Sequence, residues 1–402
     1  MANKRFSAFS YRDFRLFWFG QVISLSGTWM QSVAQGWLVY SLTKSPLYLG
    51  MVAAATSLPI LLFSLFGGVI ADRYPKRDLL LFTQALSILP ALALGILTST
   101  GVVTVWHVAM LGALLGTINA LDIPVRQSFL AEMVEKGHIG NAIALNSAAF
   151  NGARIIGPVI AGMTIAYLGI PACFYLNALS FLAVIAALSR IRAKGDVRTA
   201  SEGMLRDFTQ GIRFVSDNRD IRNVFSLIAV FSIIGLPYIS LLPVFAAEVF
   251  DRGARGLGFL VGSSGIGALT AALNIAARED IRDKMKFMAL TGICFSAALL
   301  AFSLSGMFWL SLVVLMLCGW GMVSYLAVAN SFIQITVPDG LRGRVMSVYS
   351  LVFLGTVPIG NAIMGVVADR LGTPRAVTVS GIICLIAALF FARSYLNNRD
   401  TI

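Results

Sequence analysis

Charge is scarce in this chain. Only 12% of its 402 residues are Asp, Glu, Lys or Arg, and 19 of them are acidic. A soluble domain carries about a quarter charged residues, so a water-facing surface of ordinary extent is excluded. His107 and His138 are the only histidines, too few and too far apart in sequence for a zinc-ligand cluster. The four cysteines, Cys173, Cys294, Cys318 and Cys384, show no CxxC spacing and fall inside apolar runs. They read as small core residues, and neither a disulfide nor a bound metal is expected. No GxxxxGK[ST] occurs, which argues against an ATP-driven pump within this chain. The basic start (Lys4, Arg5, Arg12, Arg15) lacks a small-residue cleavage site, so the stretch after it reads as an uncleaved first helix. No cofactor and no enzymatic activity are expected.

What the chain has instead is apolar length. Hydrophobic residues make up 57% of it, with a mean hydropathy of +0.82, which places it among polytopic membrane proteins. The net charge of +12 could suggest nucleic acid. The Lys and Arg lie in short loops between apolar spans rather than along one face, so a membrane explains them better and no nucleic-acid partner is expected. A hydrocarbon core of about 30 Å takes about 20 residues of helix. The apolar runs then give twelve spans: 16–42, 47–70, 79–100, 104–124, 142–166, 171–190, 222–247, 257–277, 286–304, 308–332, 345–368 and 376–396. With both termini cytoplasmic, the inner segments hold 25 of the 31 Lys and Arg. The outer loops hold Lys44, Arg252, Arg255, Arg370 and Arg375, and Arg154 is left inside a span. This asymmetry sets the orientation.

The two halves are related. Tyr11-Arg12-Asp13-Phe14-Arg15 recurs as Asn218-Arg219-Asp220-Ile221-Arg222, and a shift of 203 carries Leu168-Gly169-Ile170-Pro171 onto Leu371-Gly372-Thr373-Pro374. At the same shift Gly152 meets Gly355 and Gly162 meets Gly365. Six crossings per half make the repeats parallel. The expected organisation is a six-helix bundle over 1–190, a cytoplasmic linker over 191–221 and a second six-helix bundle over 222–402. Within the linker Leu205, Phe208, Ile212 and Val215 recur at helical spacing, as in an amphipathic helix lying on the inner surface.

Three places could carry function. Gly68 to Arg77 is a tight, charged reversal between two spans. There Gly68 would let backbones approach, Asp72 would offer a carboxylate to a helix N-terminus or cation, and Arg73, Lys76 and Arg77 would hold the turn inside. A plain positive-inside turn is the simpler alternative. In the first span Gln21, Ser24, Thr28, Gln31, Ser32 and Gln35 lie within about 100° of one another. Such a stripe either lines a cavity or supplies hydrogen bonds between helices. In the fifth span Ser147, Asn151, Arg154 and Pro158 share a face. An Arg at mid-membrane costs at least about 2.5 kcal/mol unless paired or hydrated. Arg154 is either a fixed cation for an anionic or electron-rich substrate group, or a buttress against Asp122 or backbone carbonyls. Asp122, with Arg126 one turn on, could be a local ion pair. Gly262-Ser263-Ser264-Gly265-Ile266-Gly267 lies inside a span without a preceding strand, so a small-residue helix contact is expected there rather than a dinucleotide loop.

The 68–77 stretch resembles motif A of the major facilitator superfamily, with Pro75 where the family has its second Gly. Tyr11-Arg-Asp-Phe-Arg, Asp122-Ile-Pro-Val-Arg-Gln-Ser-Phe, Asn141-Ala-Ile-Ala-Leu-Asn-Ser, Ala153-Arg-Ile-Ile-Gly-Pro and Val337-Pro-Asp-Gly-Leu-Arg-Gly-Arg-Val-Met-Ser together resemble the branch of enterobactin exporters and macrolide efflux proteins, the drug:proton antiporter-3-like group. The fifth span is similar to a degenerate antiporter motif C, with Ala153 and Ala161 where Gly is usual, which weakens the carry-over of antiport. The resemblance implies the twelve-helix major facilitator fold and an inner gate of Gly68, Asp72, Arg73, Lys76, Arg77, Asp122, Arg126, Arg342 and Arg344. In it Asp122 would face Arg73 or Arg77, and Asp72 the helix start near Arg344 and Val345.

It also implies export of a small amphipathic molecule across the bacterial inner membrane by alternating access, with protons as coupling ion, by a monomer in the lipid bilayer. Gln21, Ser24, Thr28, Gln31, Gln35, Ser147, Asn151 and Arg154 would line the substrate cavity. Apart from Arg154 no ionisable residue lies deep in a span, so Asp122 is the expected proton carrier if protons drive transport, though a purely structural carboxylate is equally compatible with its place. Lipid or lysolipid translocation, or a membrane sensor that kept the fold without turnover, are the alternatives.

Overall fold

A computed structural model describes residues 4–193, 204–278, 281 and 283–399; for Gly68 and Asp72 it describes the backbone alone. Every regular element among the described residues is helical. Hydrocarbon has no water to satisfy backbone polar groups, and a helix satisfies its own within one segment.

The helices are α1 (Arg12–Thr43), α2 (Pro46–Arg73), α3 (Lys76–Ser99), α4 (Val105–Glu132), α5 (Ile139–Leu168), α6 (Ile170–Arg190), α7 (Met204–Asp217), α8 (Arg219–Val230), α9 (Tyr238–Val244), α10 (Gly253–Ala276), α11 (Lys284–Leu304), α12 (Phe308–Thr336), α13 (Asp339–Ser350), α14 (Val357–Leu371) and α15 (Thr373–Arg399). Among the described residues eleven helices or helical runs are long and apolar enough to cross a membrane. The expectation was twelve. The one outside this set is α1, which has the length, 32 residues, but whose Gln, Ser and Thr stripe and charged first turn dilute its apolar character.

Two expected spans are single in sequence and broken in structure. The run 222–247 is α8, a π-helical turn at Phe231–Gly235, α9 and a second π turn at Phe245–Val249. The run 345–368 is α13, a π turn at Leu351–Gly355 and α14. Pro237 and Pro358 lack the N–H that would continue each ladder, and the wider turn absorbs the mismatch. Other spans are longer than expected. Most notably, α4 passes through Pro124 and continues to Glu132.

The chain divides into two compact units, one of Met1–Lys44 with Ala55–Ala200, the other of Ser45–Ala54 with Ser201–Ile402. In the first, α1 packs on α5 and α6, and α3 on α4 and α6. In the second, α11 packs on α12 and α15, and α10 on α12. Lipid tails are as apolar as Leu, so burial alone does not bring such helices together; close packing and hydrogen bonds do. At the α10–α12 crossing a Cβ on Gly267 would lie 1.8 Å from the Met316 carbonyl oxygen, and one on Gly319 2.0 Å from that of Ser264. Gly267, from the glycine-rich run in α10, is therefore part of a helix contact.

The internal repeat is visible at one turn in each unit. α5 ends at Gly169 with φ 86° and ψ 169°, its N–H bonded to the Ile165 carbonyl. α14 ends at Gly372 with φ 85° and ψ 145°, its N–H bonded to the Ala368 carbonyl. In both, Pro follows within the first turn of the next helix, where no N–H is needed. Backbone at these angles is open essentially to Gly alone. Gly169→Ala and Gly372→Ala should therefore each cost about 1–3 kcal/mol, read as a lowered melting temperature of the purified protein. Gly140→Ala is the control, since a Cβ there meets nothing within 4 Å, and it should leave the melting temperature level or slightly raised.

Candidate functional site

The polar stripe of α1 faces its own unit. Gln21, Ser24 and Gln31 are buried, and their partners come from three neighbouring helices. The Gln21 Oε1 accepts from Arg126 Nη1 of α4 at 3.0 Å. The Gln31 Oε1 accepts from Asn177 Nδ2 of α6 at 2.6 Å, and Ser180 donates to Asn177 in turn. Gln35 Nε2 donates to Thr56 Oγ1 of α2 at 3.2 Å. Thr28 Oγ1 donates back to the Ser24 carbonyl of its own helix. Of the two arrangements open from sequence, Gln21, Gln31 and Gln35 make interhelical bonds, while that of Thr28 stays within α1.

Gln21 leads to a carboxylate. Arg126 Nη2 lies 3.6 Å from Asp122 Oδ2, within one helical turn of α4. Asp122 Oδ1 accepts from Thr83 Oγ1 at 2.7 Å and from Gln84 Nε2 at 2.8 Å, both on α3. Asp122 is 3% exposed. A buried carboxylate of this kind needs partners that replace water, and here α3 supplies two and α4 one, with Gln21 of α1 holding the Arg126 guanidinium from its other side. Two buried amide atoms at the rim, Gln21 Nε2 and Gln84 Oε1, have no hydrogen-bond partner. The site thus holds one spare donor and one spare acceptor.

Asp122 does not face Arg73 or Arg77, which corrects the pairing implied by the family resemblance. The reason is the length of α4. Because the helix runs on past Pro124, Asp122 sits opposite the middle of α3, and Glu132, further along, reaches the motif. Lys76 Nζ meets Glu132 Oε1 at 2.7 Å, with the Lys76 side chain 2% exposed. Pro124 has a second effect, since it leaves the Ala120 carbonyl without its helical N–H. A Cβ on Gly67 would lie 2.2 Å from that oxygen. Gly67, next to Gly68, thus makes a close approach of the kind expected at Gly68, whose own surroundings lie outside the described residues.

The other expected gate residues are placed separately. Arg77 donates from Nε to the Leu188 carbonyl at 2.9 Å and from Nη2 to that of Ser189 at 3.3 Å, so it caps the end of α6. Asp13 Oδ2 accepts from the backbone N–H of Arg192 and Ala193 just beyond that end. Arg73 is exposed, and beyond their backbone Gly68 and Asp72 lie outside what is described. In the second unit, Arg342 donates from Nε to the Gln334 carbonyl at 2.8 Å and pairs with Asp339 at 2.6 Å. Arg344 Nη1 donates to Gln210 Oε1 of α7.

Arg154 lies with its guanidinium 5.7 Å from the ring centre of Trp29 on α1. Gly157, one turn on, brings the helices together, since a Cβ there would meet Trp29 Cβ at 2.7 Å. A cation over an aromatic face keeps its charge while losing little of its solvation partnership. The Asp122 buttress is not formed. Asn151 Nδ2 donates to the Ser147 carbonyl, and the Ser147 side chain is exposed, so Ser147, Asn151 and Arg154 remain along one side of α5.

At 3–402 the chain matches the family model described as transmembrane secretion effector, of the major facilitator superfamily. The chain belongs to that family. Among curated relatives, the Staphyloferrin A transporter of Staphylococcus aureus is 26% identical over 372 residues, covering 91% of this chain and 92% of its own. The multidrug efflux pump Tap of Mycolicibacterium fortuitum is 27% identical over 388 residues, covering 93% and 94%. Macrolide efflux protein A of Streptococcus pyogenes is 19% identical, covering 92% and 94%. Among solved structures, a POT family transporter bound to a thioalcohol-conjugated peptide superposes with a TM-score of 0.77 at 13% identity over 96% of each chain. A bacterial homologue of the human lysosomal transporter Spinster gives 0.72 at 12% identity over 99% and 98%. The chain is thus a multi-pass membrane protein of the major facilitator efflux branch.

Thr83, Gln84, Glu132 and Asp13 were missed in sequence. Thr83, Gln84 and Ser87 form a polar stripe of their own in α3, recognisable by the spacing that marked α1. Glu132 lies beyond Pro124, a residue type that marks the end of a span in sequence, whereas α4 continues through it. The Lys76–Glu132 pair supplies a prediction. Glu132→Ala should lower the melting temperature, since it takes a carboxylate partner at 2.7 Å from a buried ammonium. Lys76→Met with Glu132→Leu should recover most of the loss, as checked by a double-mutant cycle of melting temperatures in detergent.

Proposed function

We propose that the protein exports a small amphipathic molecule, drug-like or siderophore-like, across the bacterial inner membrane by alternating access, in exchange for protons. The observation that carries the coupling half of this reading is the buried Asp122 with its mixed set of partners. Gln84 suits both protonation states. Its N–H now donates to the carboxylate, as an ionised Asp requires, while its own Oε1 is unpaired. A half-turn of that amide would let Oε1 accept from a protonated Asp122. Arg126 would then be released to Gln21, which already holds its other nitrogen. A network with two satisfiable arrangements is what a carrier needs, since each protonation state must be tolerable away from water.

For the substrate half, the family and its relatives support an exported small molecule. Ser147, Asn151 and Arg154 are the contacts we assign to it, with Arg154 held over Trp29 as a cation for an anionic or electron-rich group. A half-buried guanidinium on an aromatic face is placed but not neutralised by that ring. Glycines in α2, α5, α10 and α14 suit helices that shift against one another. We count α1 as the twelfth span, with Gln21, Gln31 and Gln35 of its polar stripe bonded to neighbouring helices. We keep Asp72, Arg73, Lys76, Arg77, Arg342 and Arg344 as an inner gate.

The test uses the purified full chain in proteoliposomes. Substrate-dependent proton release is followed over a panel of staphyloferrin A, a catecholate siderophore, a macrolide, a cationic dye and a lysolipid. With a responding compound, Asp122→Asn should abolish export driven by a pH gradient while binding persists. Undiminished pH-driven export by that variant would remove Asp122 as carrier. Arg154→Ala should weaken binding about tenfold for an anionic substrate, the scale of one charge-assisted contact. Gln84→Leu removes one of the two α3 donors to Asp122 and should slow export driven by a pH gradient while substrate binding persists. Export at the unmodified rate would mean that Gln84 has no part in coupling.

A further inference from the structure

The second unit holds a groove that the transport reading does not use. It lies between the linker helix α7, the start of α8, and the segment from α13 into the following π turn. Its volume is about 280 Å³, and Val215, Phe225, Ala229, Val348 and Val352 supply an apolar lining, with Arg222 at one end. α7 is fixed as one wall of it. Gly211 allows the approach, since a Cβ there would lie 2.6 Å from the Arg344 carbonyl oxygen and 3.1 Å from Val348 Cγ2. Gln210 holds Arg344 beside it.

Charge and depth are arranged along this groove in one direction. Arg222 stands in the first turn of α8, where the membrane-crossing run Arg219–Val249 begins. Ala229 lies seven residues further along the same helix, about 10 Å deeper at the rise of an α-helix. The groove therefore starts at a cation near the surface and runs, apolar, toward the hydrocarbon. The cation is not neutralised by its surroundings. Arg222 is exposed, and its Nη1 donates to the Ser216 carbonyl at 2.6 Å. Among the described residues, Arg213 is the cation that pairs with Asp217, at 3.9 Å, and no ion pair is formed by Arg222.

We propose that this groove binds one anionic glycerophospholipid, its phosphate on Arg222 and one acyl chain along Phe225, Ala229, Val348 and Val352. A zwitterionic lipid offers the same chain, but its ammonium offsets the attraction of the phosphate for a guanidinium. A free fatty acid offers chain and charge but a smaller headgroup. The bound lipid bridges α7 to α8 and α13, and so fastens the linker helix against the segment that carries Arg342 and Arg344. The inference rests on the membrane placement of the chain and not on its cargo, so its failure would leave the export reading untouched.

The experiment places the full-length protein in phosphatidylcholine vesicles doped with a trace of a phospholipid whose acyl chain bears a diazirine. The label is carried on phosphatidylglycerol, on phosphatidylcholine, or on a free fatty acid, and adducts are mapped by peptide mass spectrometry after illumination. Labelling of the peptides holding Phe225–Ala229 and Val348–Val352 should be several-fold stronger with the phosphatidylglycerol probe than with the other two. Arg222→Ala should reduce that labelling about fivefold, the share of one basic residue near a charged headgroup, and Arg222→Lys should retain most of it. Raising the salt should narrow the difference between headgroups. Ala229→Phe fills the groove and should remove the adducts at these peptides while leaving those elsewhere on the chain unchanged. Equal labelling by phosphatidylglycerol and phosphatidylcholine, stronger labelling by the fatty acid, or adducts indifferent to Arg222→Ala in a protein that keeps its elution volume would each overturn the proposal.

Discussion

A polar group inside hydrocarbon has nowhere to turn but to the protein itself, and the architecture of this chain follows from that one constraint. It explains why every regular element described is a helix. It also explains why the polar side chains of the spans are grouped rather than scattered. Gln21, Gln31 and Gln35 each sit on the face of α1 that meets another helix, and each meets a different one. Where lipid gives no hydrophobic incentive for helices to associate, such bonds fix which helices are neighbours and at what rotation.

The same constraint sets the character of the charged residues. Lys76 and Glu132 form a buried pair, Arg77 closes the carbonyl end of α6, and Arg342 does the same service near the end of α12. The family motif that looks in sequence like a single gate is therefore, within each unit, a set of separate attachments. Asp122 differs from them. It gathers a hydroxyl and an amide from α3 and a guanidinium from its own helix α4, with unpaired amide atoms beside it. Attachments of the first kind stabilise one arrangement. A cluster of the second kind can exchange partners at small cost, which is why function is sought there.

Much of this was readable in the sequence. The spans, the basic loops, the family and the repeat all show as patterns of residue type along the chain, and Gly169 and Gly372 show why the repeat is more than coincidence: both occupy backbone angles that other residues resist. The polar stripe of α1 was legible too, as a face. Its meaning was not, because a stripe that lines a cavity and a stripe that ties helices together have the same spacing. Pro124 misled in the opposite way. As a residue type it marks a helix end, yet in α4 the missing N–H is tolerated, with Gly67 of a neighbouring helix drawn close to the freed carbonyl.

By itself, then, the sequence determined the class of protein, the family and the residues worth suspecting, since these depend on local composition and periodicity. Only the tertiary structure decided the pairings: Asp122 with Thr83, Gln84 and Arg126 rather than Arg73 or Arg77, Lys76 with Glu132, Arg154 over Trp29, and Arg344 with Gln210 of the linker helix. Such partners come from segments far apart in the chain. Which atoms meet depends on where each helix ends and how it is turned about its axis, and a shift of one residue in either turns a side chain about 100° to a different neighbour.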